Sequence, residues 1–474
     1  METLFDSICK MQLVESYYFC HGKYNIFLDV NRSNFYSIED KYLDVIKVLK
    51  KEENMEVLKQ KYSKDDIETV IKELIEQEIL VRDSPEYEIL SVDREKEVIN
   101  LVMNISQDCN LRCTYCFAST GHYKGKRTLM SKEVADKTLT WFFEQAKCSK
   151  VLNLHLFGGE PLINIPLVEY IVEKCKILEK EYSKKIFINV CTNGTILNEK
   201  LLKLIKDNEI GMQISIDGPK EVHDKYRPMA NGNSSYDKLA ENMSILFEEL
   251  DKNTIIPRGT ISNAEVDVND IVKHIIEEMG FNAFFFIPAM GTEGQSYDNK
   301  DLPKYFEQYD KLVETFLDKL RKGEEYNIYP FVTEVDAIGK GVRRIYGCGA
   351  GIGFASVDIK GDIYPCMRFT NNKEYLIGNI EDGFNENRDK LFERTVYNRT
   401  KCKKCWARHF CGGACIAIPV ENGESMNAYN ENTCEVSKHM IELAMYANTV
   451  ISDENLKFNK EQLKVNDFMR RRFQ

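Results

Sequence analysis

A chain of 474 residues with a formal net charge of −11 is too long for one ordinary domain, so two or three units with separate cores are expected. The charge excludes a general nucleic-acid binder, which would show a basic face. No run of about 18 uncharged apolar residues is available to span a bilayer, and Met1 to Gln12 carries acidic residues with no basic stretch leading into an apolar core, unlike a signal peptide; a cytoplasmic protein is expected.

From Lys23 to Ser37 apolar and polar residues alternate around an Asn-Arg-Ser turn, which predicts a two-stranded hairpin. Apolar positions then repeat at three and four over Tyr42–Lys50, Met55–Lys61 and Lys64–Gln77, predicting helices. Ile79–Arg82 follows as a short strand. The charged stretch Asp83–Lys96, with Asp-Ser-Pro and Asp-Arg-Glu-Lys-Glu, reads as a linker.

Between about Val98 and Lys322 short apolar runs alternate with amphipathic segments. VINLVMNI, VLNLHLF, IFINVC, MQISI, IPRGTI and FNAFFFI are the candidate strands. Six βα units predict an α/β fold: a parallel sheet with helices outside, in a partial, open version of the eight-fold barrel. Functional loops then belong at the C-terminal ends of the strands. From about Tyr326 the periodicity weakens, glycine and cysteine rise, and a final helix is expected near Ser437 to Val450. Metal-stapled regions have this character.

Fifteen cysteines in a reducing compartment point to metal binding or catalysis before disulfides. Cys9, Cys20, Cys148, Cys175 and Cys191 lack ligand-like spacing and read as small buried hydrophobes. The other ten fall in two groups. Directly after the first strand stands Cys109-x3-Cys113-x2-Cys116, three thiols able to surround one compact object. A [4Fe-4S] cluster normally takes four thiolates, so three leave one iron open to a non-protein ligand. A structural zinc site would want four protein ligands, with His122 the available fourth.

This spacing, with the aromatic Tyr115 before the last cysteine, resembles the radical S-adenosylmethionine superfamily. The resemblance implies that the open iron is chelated by S-adenosylmethionine, which is cleaved to methionine and a 5'-deoxyadenosyl radical. Cys109, Cys113 and Cys116 would then be the catalytic, radical-generating cluster ligands. At the end of the second strand, Phe157-Gly158-Gly159-Glu160-Pro161 lets backbone approach a ligand and offers a carboxylate to an ammonium group. Its position matches the family element that binds the methionine amino group. Ser215-Ile216-Asp217-Gly218-Pro219 and His223-Asp224-Lys225-Tyr226-Arg227 look like family elements near the cofactor, with Ser215 the direct contact. Arg258 is a candidate partner for the cofactor carboxylate or for a structural salt bridge. Asn193-Gly194 is readable as only a turn.

Downstream stand Cys348, Gly361-x4-Cys366, Cys402-x2-Cys405-x5-Cys411-x3-Cys415 and Cys434, a pattern that resembles the SPASM extension with its two auxiliary [4Fe-4S] clusters, three clusters in all. By that resemblance Cys402, Cys405, Cys411 and Cys434 fully ligate one cluster. Cys348, Cys366 and Cys415 would ligate the other and leave one iron open, a residue short of the eight-cysteine pattern of anaerobic sulfatase maturases. An open iron suits a substrate thiolate; a neighbouring residue or water there would make the cluster an electron relay only.

The hairpin, the helices and the run Asn25–Asn31 resemble the winged-helix-like peptide-recognition domain of maturases of ribosomally made peptides, in which a sheet edge receives an extended leader. The segments Cys116-Phe-Ala-Ser-Thr-Gly and Leu129-Met130-Ser131 add a likeness to maturases of six-cysteines-in-forty-five precursors. The resemblances divide the chain into residues 1–90 for peptide recognition, 97–322 for the radical barrel, 323–450 for the SPASM domain and 451–474 as a tail. They imply a thioether-forming maturase of a cysteine-containing precursor peptide, supplied with electrons by a flavodoxin or ferredoxin. Formylglycine formation on sulfatases, carbon-carbon cross-linking and epimerisation are the competing enzyme readings. A zinc-rich binding protein is the non-enzyme one.

Overall fold

The computed structural model describes residues 11–83, 87–262, 265–290, 297 and 300–458. Cys9, most of the stretch Met1–Gln12 and the end of the 451–474 tail lie outside the described residues. At the N-terminal side are β1 (Gln12–Leu13), β2 (Ser16–His21), β3 (Tyr24–Asp29), β4 (Asn34–Ile38), α1 (Asp40–Leu49), α2 (Met55–Lys61), α3 (Lys64–Glu76) and β5 (Leu80–Val81). Ser63 and Asp66 close a reciprocal capping box that starts α3. The expected hairpin is β3–β4, but the sheet has a third strand: β2 pairs antiparallel with β3 from Ser16↔Asp29 to His21↔Tyr24. Its Ser-Tyr-Tyr-Phe-Cys-His run does not alternate cleanly, because Tyr17 and Phe19 pack against the main core rather than the core of their own sheet. That smaller core is separate, built from Val14, Phe27, Val45, Ile46, Leu58, Ile67, Val70, Ile71 and Leu74.

The six expected parallel strands are β6 (Asn100–Ser106), β7 (Val151–Gly158), β8 (Lys185–Thr192), β9 (Gly211–Ser215), β10 (Ile255–Ile261) and β11 (Phe284–Pro288), hydrogen-bonded in sequence order. The helices between them are α4 (Lys132–Gln145), α5 (Ile165–Tyr182), α6 (Glu199–Asp207), α7 (Lys220–Tyr226), α8 (Ser235–Glu249) and α9 (Val268–Lys273), and α10 (Leu302–Arg321) follows β11. Along β6 to β9, Leu101, Met103, Ile105, Leu152, Leu154, Leu156, Ile186, Val190, Met212 and Ile214 build the hydrophobic core. The alternate positions carry Asn100, Asn104, His155, Asn189 and Gln213, all buried. One face therefore seals the helices to the sheet while the other gives the curved sheet a polar inside.

The sheet does not end with these six. β12 (Ile328–Tyr329) adds to β11, and at the other edge β13 (Phe354–Val357) runs parallel to β6, followed by β14 (Asp362–Tyr364), β15 (Gly378–Asn379) and β16 (Gly383–Phe384), antiparallel. The cysteine-rich region is thus grafted onto the barrel's first strand. After α11 (Phe331–Gly339) and several one-turn helices, α12 spans Glu431–Asp453, longer at its start than the expected Ser437–Val450. Asn430 caps it by accepting from Thr433 N at 2.9 Å, and its first turn carries Cys434 where an apolar residue would have shown the period. Among the described residues, no helix is long and apolar enough to cross a membrane.

The N-terminal unit is fastened to the cysteine-rich region. The rings of Tyr17 and Trp406 stack at 4.0 Å. Both amino groups of Arg408 donate to the Glu15 carboxylate at 2.6 Å, and Tyr24 donates to Asp453 at 2.5 Å. Trp406 directly follows Cys405, so the small sheet rests on the loop that carries the second cysteine group.

Candidate functional site at the C-terminal ends of the strands

The Cys109–Cys116 loop leaves β6 and is pinned from three sides. Arg112 N donates to Pro228 O at 2.8 Å, Thr114 N to Tyr226 O at 2.9 Å and Ala230 N to Asn110 O at 2.8 Å, laying the loop along 226–230. Gly159 N donates to Ser106 O and Glu160 N to Asp108 O, each at 2.8 Å. The paired glycines serve this contact. Gly158 has φ +140°, and a Cβ there would lie 2.1 Å from Ser106 O; one on Gly159 would lie 2.3 Å from Asp108 O. The space that a side chain would fill is taken by the backbone leading into the cysteine loop, so these two positions must lack one.

Burial pushes Cys109 up to about 12, with the Glu160 carboxylate and then the Cys113 and Cys116 thiols adding to it. Cys113 rises to about 11, by burial first, against the opposing pull of Arg227. Two neighbouring thiols that resist ionisation in this way need a cation to hold them as thiolates.

Glu160 is fully buried. Its carboxylate accepts from Leu162 N at 3.0 Å, Thr192 Oγ1 at 2.8 Å and Asn193 N at 2.7 Å. Burial nevertheless lifts it to about 6. Asn193 donates to Asn110 Oδ1 at 2.8 Å, and Asn110 donates to Thr195 Oγ1 at 2.8 Å. Asn193-Gly194 is therefore a turn, with Gly194 at φ +73°, that also ties the end of β8 to the cysteine loop.

Tyr115 faces inward. It donates to Asp217, and Arg227 Nη1 donates to its hydroxyl at 2.7 Å, while Thr260 N donates to Asp217 Oδ1 at 3.0 Å. Asp217 and Arg227 form with Tyr115 a buried charged network beneath the loop. Ser215 and Arg258 stand opposite each other on β9 and β10, and the Arg258 guanidinium lies 5.4 Å from the Phe285 ring centroid. His122 remains in the loop with its Nδ1 buried and without a hydrogen-bond partner. A set of three thiols beside a buried carboxylate fits an iron-sulfur cluster carrying an amino-acid ligand.

In the C-terminal region Cys402, Cys405, Cys411, Cys415 and Cys434 line one cavity of about 500 Å³. Cys434 rises to about 11, by burial first and then by Cys411, Cys402 and Cys405. Cys366 is pushed up by burial and then by Cys415 and Cys348. The thiols thus act on one another in a set of four and a set of three, and Cys415 stands between them, lining the cavity of one set while acting on the other. The backbone enforces the second set: a Cβ on Gly347 would lie 2.7 Å from Ala414 O, and one on Gly412 2.3 Å from Tyr346 O, so Cys348 and Cys415 ride on chains in van der Waals contact. Among the described residues, no three His, Cys, Asp or Glu side chains converge closely enough to hold a single metal ion. Thiols spread around a space suit a larger inorganic core.

The scattered cysteines divide. Cys175 is buried as expected, but Cys20 and Cys148 are exposed, Cys20 on the edge strand β2 and Cys148 in the turn before β7. Cys191 is half-buried on the polar inside of the sheet, its Sγ 3.5 Å from Gln213 Oε1.

The sequence model of the Radical SAM superfamily matches residues 103–273. A cysteine-type anaerobic sulfatase-maturating enzyme of Clostridium novyi (strain NT) is 28% identical over 370 residues, 73% of this chain and 95% of its own. An uncharacterized protein of Methanocaldococcus jannaschii is 30% identical over 319 residues, 66% of this chain and 96% of its own. Among solved structures, Streptococcus suis SuiB bound to precursor peptide SuiA shares the fold with a TM-score of 0.52 at 14% identity, over 89% of this chain and 99% of its own. A three-cysteine loop on the first strand of a parallel α/β sheet, a Gly-Gly-Glu turn on the second and this set of relatives lead to one assignment: the chain belongs to the radical S-adenosylmethionine superfamily, whose members use a [4Fe-4S] cluster and S-adenosylmethionine.

Proposed function

We propose that this protein matures a ribosomally made, cysteine-containing peptide by joining cysteine sulfur to carbon, the substrate giving up two hydrogens for each thioether made. The observation that carries the reading is the division of seven downstream cysteines into a set of four and a set of three. Four thiols complete a [4Fe-4S] cluster and three leave a position that a substrate thiolate would fill. Cys109, Cys113 and Cys116 hold the radical-generating cluster. Glu160 receives the amino group of S-adenosylmethionine, and Tyr115, Gly158, Gly159, Ser215 and Arg258 flank it. When bound, cluster and cofactor together supply a hydrogen-abstracting radical. The chain's own task is to hold peptide and cofactor on the polar inside of the sheet, at the strand ends.

The N-terminal unit, taken as residues 1–90, receives the leader; the barrel spans 97–322, the auxiliary clusters lie within 323–450 and 451–474 forms a tail. β4, mostly exposed and hydrogen-bonded only to β3 among the described residues, offers an edge for an added strand. A solved structure similar in fold over 89% of this chain is bound to its precursor peptide, in support of that role. An external flavodoxin or ferredoxin supplies electrons in the cytoplasm.

The test is anaerobic iron and sulfide analysis of reconstituted protein. About twelve irons falling to about eight in C109A/C113A/C116A agrees with three clusters, whereas a variant that loses no iron defeats the reading. Mass analysis of a small cysteine-rich peptide co-expressed with the enzyme then distinguishes chemistries: loss of two hydrogens with loss of alkylatable thiol, both surviving treatment with a disulfide reductant, marks a thioether. A hydrazide-reactive aldehyde would instead mark formylglycine, the second reading, which the likeness to the Clostridium novyi sulfatase maturase favours.

A further inference from the structure

Arg368 stands two residues after Cys366 in the one-turn helix Met367–Phe369. Its side chain joins three parts of the molecule. Nε donates to Glu421 Oε1 at 2.5 Å and Nη2 to Glu421 Oε2, so the pair is bidentate. Nη2 also donates to Met290 O at 3.2 Å, just beyond the end of β11. The guanidinium lies 5.4 Å from the ring centroid of Phe117, the residue that follows Cys116. Its charge acts on Cys415 and Cys366, and both side chains of the pair are about one-fifth exposed, where a charge is weakly screened. The main-chain and cation-π contacts account for packing; they do not require a carboxylate partner aimed at the same guanidinium.

We propose that Arg368 and Glu421 are a positioning pair that sets the reduction potential of the auxiliary cluster on Cys348, Cys366 and Cys415. This rests on the reading above that those three cysteines hold a cluster. Reduction brings one electron onto the cluster, and cluster potential responds to nearby charge. Arg368 favours the reduced form and Glu421 the oxidised form, and the ion pair fixes the distance of each from the thiols.

The experiment is a potentiometric dithionite titration of the reconstituted full chain carrying C109A/C113A/C116A, followed by electron paramagnetic resonance. The relevant signal is the one lost on adding C348A/C366A. The expected result is a shift to more negative potential in R368Q, a shift to more positive potential in E421Q, an intermediate value in R368Q/E421Q and a near-native value in R368K, all at unchanged iron content. Shifts of one sign in both single variants, or none in either, overturn the proposal while leaving the cluster in place. If R368Q does not fold, E421Q decides alone: a positive shift supports the pair's role, and an unmoved or negative one overturns it. If C348A/C366A costs no iron, the cluster assignment fails, and the proposal with it.

Discussion

The two cysteine groups are held by different physics. The Cys109–Cys116 loop issues from a strand buried along its whole length and is hydrogen-bonded to three neighbouring segments, so the sheet places its thiols whether or not metal is bound. Cys348 to Cys434 are spread over strands of two to four residues and helices of three to seven residues until α12 begins. Such short pieces do not stand alone. A site that must give and take electrons with an exchangeable ligand is built on the rigid scaffold, while the clusters proposed further out would double as staples.

Removing iron should split the regions. The binding energy of a structural metal is folding energy, on the order of 10 kcal/mol, and its loss should abolish amide exchange protection over 395–435 while β6 to β9 stay protected. Protection lost together in both regions would dissolve the comparison. The barrel side has its own weak point in the Tyr115–Asp217–Arg227 network. R227M leaves the Asp217 carboxylate buried without its cation and should cost about 3–5 kcal/mol, read by urea unfolding of the iron-free protein; D217N/R227M should recover part of it. Next in size is G158A, which combines a positive φ with a 2.1 Å approach to Ser106 O. A loss of about 3 kcal/mol is expected, together with about four irons per chain as the loop is displaced. Retention of full iron content would show that the loop tolerates a looser seat than its contacts indicate.

All six barrel strands were readable because each is an apolar run bounded by polar turns and buried by helices on one face. The short strands β13 to β16 have no period to read: they form because β6 offers a free edge, a fact of tertiary structure. β2 hid for a related reason, its Tyr17 being committed to Trp406, 389 positions away by their numbers. The cysteines proposed as ligands stand out by their spacing, yet the residues that support them do not. Asn110 with Asn193, Asp217 with Tyr115 and Arg368 with Glu421 are pairs distant along the chain and of common residue types, so only folding brings them together. Glycine at 158 and 159 was visible, but the close seat of the chain at Ser106 and Asp108 against it was not.

The smallest effect expected also tests where the cofactor sits. Burial raises Glu160 from its ordinary 4.5 to about 6, so the folded iron-free protein binds this proton more tightly than the unfolded chain. The stability it contributes is fully present below pH 4.5 and is lost as pH rises through 6, a change of about 2 kcal/mol. E160Q keeps one amide oxygen, able to accept from Leu162 N and Thr192 Oγ1 or from Asn193 N, but cannot titrate, so its stability should be flat over that window after subtraction of the common background. Parallel curves for the two proteins would show that the carboxylate is not lifted by burial. An ammonium group docked on Glu160 would pull the carboxyl back down, so reconstituted wild type with S-adenosylmethionine should lose the slope that the iron-free protein shows. If the slope survives saturating cofactor, the amino group binds elsewhere, and Glu160 serves only to join the ends of β7 and β8 beneath the loop.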